Sequence, residues 1–87
     1  MTTVAEVVLR EAMVPGCAAC RTRHNDLLIE AGEFAGAAHH RAKATASGAI
    51  ERFDALLASA RKQRDYSRRA LADHLRTEHG ISLDVTR

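Results

Sequence analysis

At 87 residues and a net charge of +2, the chain has room for one domain of the size at which a single core is marginal, and too little charge to name a partner. Its apolar fraction is 46%, but 17 residues are alanine and only Phe34, Phe53 and Tyr66 are aromatic, so a metal staple, a second chain or both are expected to add stability. No apolar run approaches the ~20 residues that a membrane span needs, so no spanning helix is expected in it.

The start Met1-Thr2-Thr3 lacks the charged and apolar segments of a secretion signal, so a cytoplasmic chain is expected, with its two cysteines as thiols or metal ligands. Thr3 and Glu6 have capping-box spacing and predict a first helix over Val4–Met13. Val4, Val7 and Val8, with Leu9 beside them, form its apolar face. Pro15-Gly16 ends that helix and turns the chain into Cys17-Ala18-Ala19-Cys20, a zinc-knuckle spacing.

A second helix is predicted over 19–44. From Cys20, the positions His24, Leu27, Ala31, Phe34, Ala38 and Arg41 or Ala42 follow alternating four- and three-residue steps, the rhythm of a helix–helix seam. Small residues around that seam (Ala31, Gly32, Ala35, Gly36, Ala38) suggest close helix approach. Thr45-Ala46-Ser47-Gly48 reads as a break. A third helix over 49–79 repeats the rhythm in Ile50, Phe53, Leu57, Ala60, Arg64, Ser67, Leu71 and His74. Asp65 or Ser67 could instead cap a new helix and split it. Gly80 is a natural C-cap, and a loose tail is expected over 82–87.

Ser47 lies 27 residues after Cys20 and 27 before His74. Folding there brings Cys17 and Cys20 to His74 and His79 at the open end of a hairpin. Two thiolates and two neutral imidazoles suit a closed, structural zinc site and balance the ion's charge. His24 or Glu78 could replace a histidine, and the bland alternative is a pair of small buried cysteines. His74 and His79 are about 140° apart on an ideal helix, so the last turn is expected to tighten or unwind to bind one ion. His39 and His40, at the far tip, read as exposed.

The Cys-x-x-Cys start and the stretch His74-Leu75-Arg76-Thr77-Glu78-His79-Gly80 resemble the two ends of a two-cysteine, two-histidine zinc finger. That resemblance implies a metal role for Cys17, Cys20, His74 and His79. It implies no base-reading surface, because more than fifty residues separate the pairs and the finger's β-hairpin is missing. The Pro-Gly-Cys-x-x-Cys start and His-Leu-Arg-x-x-His end also look like small helical proteins of actinobacteria and their phages, a likeness that implies no activity.

Five of the nine residues from Arg61 to Arg69 are basic. On one helix Arg61, Lys62, Arg64, Arg68 and Arg69 would make a stripe for phosphates, with Arg21 and Arg23 at the same end. The bland alternative is a solvated face with Arg61–Asp65 as an i,i+4 pair. No phosphate loop, strand-borne nucleophile or spaced carboxylate pair is visible, and no enzyme is expected.

The sequence therefore predicts an all-α single domain: a short N-terminal helix and a long antiparallel helical hairpin clipped by zinc at its open end. A homodimer, or docking on a larger assembly, is expected to cover Val4, Val7, Val8, Leu28, Leu56 and Leu75. The leading function is a small regulator that binds nucleic acid, DNA or RNA, through the basic stripe. The alternative is a protein–protein adaptor for a polymerase, a ribosome or phage machinery.

Overall fold

A computed structural model describes residues 4–83. Its described residues form three helices and no strand: α1 (Val4–Ala12), α2 (Ala18–Lys43) and α3 (Ser47–His79). The molecule is all-α, with α2 and α3 closed as a long antiparallel hairpin and α1 laid against α3. Thr3, proposed as a cap, lies outside the described residues.

The turn into α2 follows from two residues. Pro15 fixes one central position and Gly16 takes the other at φ +85°, while the Cys17 N–H donates to the Val14 carbonyl at 3.2 Å. This is a type II turn, and it needs a residue without a Cβ at its second central position. The hairpin turn is shorter than the sequence suggests. Ala44, Thr45 and Ala46 alone join the helices, and Ser47 and Gly48 already belong to α3. α3 runs unbroken past Asp65 and Ser67.

The two seams meet as their spacing requires. Every predicted seam position from Cys20 to Arg41 on α2 and from Ile50 to His74 on α3 is buried or half-buried. The small-residue expectation fails in part: Gly32, Ala35 and Gly36 are exposed, and a Cβ built on either glycine would touch nothing within 4 Å. Gly32 and Ala35 border α1 beside Glu6 and Arg10, and Gly36 borders an open groove with Leu56 and Ser59 of α3, so none of the three is packed inside the seam.

The core is confined to the open end. Leu9, Cys20, Leu27, Leu71 and Leu75 are fully buried, with Met13, Val14, Ile81 and Leu83 packed around them. Leu75 is therefore covered within the chain, contrary to expectation. α1 buries Ala5 and Leu9, leaving Val7 and Val8 half-buried and Val4 81% exposed, so its inward face is rotated from the predicted one. Leu83 packs on the core, which overturns the loose-tail expectation at that residue; positions 84–87 lie outside the described residues.

At the tip, His40 stacks on Phe53 with ring centres 5.5 Å apart, and Arg41 pairs with Asp54 across the hairpin. Both His39 and His40 are exposed, as expected.

Candidate metal centre

Each arm of the hairpin delivers two side chains to one point. The type II turn positions Cys17 as the N-cap of α2, where its sulfur accepts the Cys20 N–H at 3.4 Å. Cys20 follows one helical turn later, fully buried against the leucine core. From α3, His74 brings Nε2 to 3.4 Å from the Cys17 sulfur, and His79 brings Nε2 to 3.5 Å from the Cys20 sulfur.

One ligand atom from each of Cys17, Cys20, His74 and His79 lies within 4.8 Å of the other three. A tetrahedral ion with bonds of about 2.3 Å to sulfur and about 2.0 Å to nitrogen holds those two atoms about 3.5 Å apart. Both sulfur–nitrogen distances match that tetrahedral edge. The donor set fits zinc in chemistry as well as in shape, since two thiolates offset the ion's charge beside an apolar core.

The expected distortion of α3 does not occur. The helix is regular to His79, and Gly80 closes it in the left-handed conformation at φ +66°. Its N–H bonds to the Arg76 carbonyl, and the Ile81 N–H reaches back to Leu75. The imidazoles span their angular separation by reach: both use the distal nitrogen, with ring centres 5.1 Å apart and planes at 80°. Neither His24 nor Glu78 belongs to the cluster among the described residues.

The two sulfurs are electrostatically unlike. Cys17 titrates at about 6 rather than its ordinary 9.0, first because the Cys20 N–H at the helix start bonds to the thiolate, then because His74 and His79 do. Burial pushes the Cys20 thiol above 9.0. One candidate ligand is poised as a thiolate, and burial favours the protonated form of the other.

The basic stretch is not the single exposed stripe that the sequence suggested. Arg64 is half-buried with its guanidinium 4.1 Å from the centre of the Phe34 ring, and it also pairs with Asp65 at 3.2 Å. Arg68 is 8% exposed and pairs with Glu6 of α1 at 3.2 Å and Asp65 at 3.9 Å. Asp65 thus serves Arg64 and Arg68 rather than Arg61, which approaches Phe34 at 5.7 Å. Arg21, Arg23, Arg61, Lys62 and Arg69 are exposed. The sequence missed the Glu6–Arg68 pair, because the partners are 62 residues apart and only the docking of α1 joins them.

No protein-family model, curated protein or solved structure matches the chain. Among the described residues, no helix is long and apolar enough to cross a membrane.

Proposed function

We propose that the chain is a zinc-stabilised, non-enzymatic helical protein that acts as an interaction adaptor. The observation that carries the metal half is the match of the Cys17–His74 and Cys20–His79 separations to a tetrahedral edge, with donors from both arms of the hairpin. Zinc held there would be structural: four protein donors fill its coordination sphere and leave no position for a substrate. Its binding energy would be folding energy, because the unfolded chain holds the two pairs apart.

The adaptor half rests on which side chains face outward. Val4, Leu28, Ile29, Leu56 and Tyr66 are all more than half exposed, while Arg64 and Arg68 are engaged inside the fold. Apolar surface is what such a protein offers a larger assembly. A nucleic-acid reading keeps one specific support. Lys62, Tyr66 and Arg69 are exposed at helical spacing on α3, an aromatic ring between two cations, with Arg61, Arg21 and Arg23 also exposed. Arg64 and Arg68 contribute nothing to that face.

Metal analysis followed by chelation under circular dichroism tests the first half. About one zinc per chain, and lost helicity on chelation, are expected; less than about half an equivalent with unchanged helicity ends the zinc reading. Titration of labelled duplex and single-stranded DNA and RNA at two salt concentrations separates the readings. Salt-sensitive binding abolished by Lys62→Glu with Arg69→Glu would replace the adaptor with a nucleic-acid binder.

A further inference from the structure

α2 carries two faces suited to helix packing, and the hairpin uses one. The seam toward α3 runs through Cys20, Leu27 and Phe34. On the other side, about 160° away on an ideal helix, Thr22, Asn25, Ile29, Gly32, Gly36 and His39 follow steps of three, four, three, four and three. All six are exposed, and none is Asp, Glu, Lys or Arg. Ile29 is 59% exposed at the centre of this row, with Leu28 beside it at 55%. A solvated helix face ordinarily carries charge along such a row.

The flanking charges are sorted by side. One residue beyond Asn25 and Gly32 lie Asp26 and Glu33; one residue before Thr22 and Ile29 lie Arg21 and Leu28. Arg21 and Asp26 are exposed and form no ion pair among the described residues. When two identical helices pair in parallel along this row, each residue on the basic side faces the residue five positions on in the other copy. Arg21 then meets the second copy's Asp26, twice by symmetry. An antiparallel pairing centred near Ile29 sets Asp26 against the second copy's Glu33, a repulsion.

We infer that the outer face of α2 binds a second copy of this chain, the two α2 helices running parallel and in register about a two-fold axis along their seam. Asn25 then meets its own copy on that axis, a polar contact that fixes register. Gly32 and Gly36 let the backbones come close at the centre.

Sedimentation equilibrium on the zinc-loaded protein tests the inference, with metal content and helicity measured on the same samples. A species of twice 9.5 kDa is expected, with a dissociation constant on the order of 10 μM. Ile29→Asp, at a site exposed in the single chain, should remove the dimer and leave helicity and metal content unchanged. Arg21→Asp and Asp26→Arg should each weaken it about tenfold, and the double exchange should restore it, because the swapped charges still face each other.

A wild-type monomer that retains its zinc overturns the inference and leaves the metal reading standing. A dimer indifferent to Ile29→Asp overturns it as well. Failure of the double exchange to restore association overturns the parallel arrangement.

Discussion

The unlike environments of Cys17 and Cys20 have consequences for the metal-free chain. The folded state holds Cys17 at about 6, below its ordinary 9.0, so its contribution to stability is complete above pH 9 and is lost as pH falls through about 6. Cys20 works in the opposite sense. Its raised value favours the folded state below pH 9 and costs stability above it, where the unfolded thiol ionises first. Thermal melts without metal should therefore gain stability from pH 6 toward 9 and lose it again beyond; a monotonic profile would contradict this pairing. At pH 7, iodoacetamide should modify half-buried Cys17 well before fully buried Cys20. Glu6 and Arg68 give a second test at this scale. Both side chains are nearly buried, so Arg68→Ala should cost about 3 kcal/mol by removing the cation from a buried pair between α1 and α3. Glu6→Leu with Arg68→Met should cost clearly less, and chemical denaturation of the three variants decides it.

Among the elements, glycine separates what conformation requires from what packing tolerates. Gly80 closes α3 at φ +66°, so Gly80→Ala should cost about 1 kcal/mol, as should Gly16→Ala in the type II turn. Gly32 and Gly36 lie mid-helix with open space around them, and each change to alanine should stabilise the isolated hairpin by about 0.5–1 kcal/mol. Denaturant midpoints of the four variants should divide by sign in that way. The same residues mark the limits of what the sequence disclosed. Both seams and the meeting of Cys17 and Cys20 with His74 and His79 were legible because a four–three repeat, folded at one point, determines which residues face each other. The repeat does not say how far around the helix the buried seam extends, so Gly32 and Gly36 were counted in a seam that leaves them exposed. Arg64 fitted both the seam and the basic stripe; the seam won because Phe34 offers its guanidinium an aromatic face and Asp65 a carboxylate. The docking side of α1 was illegible, since a nine-residue helix with apolar groups at Val4, Ala5, Val7, Val8 and Leu9 admits several rotations. The buried pair with Arg68 selects one of them.

For the molecule as a whole, the uneven placement of the core predicts uneven stability. Every fully buried side chain sits at the open end with the candidate metal ligands, whereas the tip relies on His40, Phe53 and an exposed ion pair. Amide exchange of the metal-loaded chain should be slowest around Leu27, Leu71 and Leu75 and fastest over residues 44–47. Chelation should bring the open end toward the rates of the tip; uniform protection along both arms would show that the metal is dispensable. The turn at Val14–Cys17 has a consequence for how the molecule assembles. Together with the first turn of α2 it puts both sulfurs near each other by local geometry alone, before any distant part of the chain has arrived. The histidines come only when more than fifty residues have closed into a loop, an entropic toll that local contacts do not share. A cation added to the unfolded chain should therefore meet the thiolates first and wait for the imidazoles. Stopped-flow mixing with cobalt as a coloured substitute should resolve a fast sulfur-dominated phase and then a slower one tracking helix formation, with the ion acting as the nucleus on which the hairpin closes.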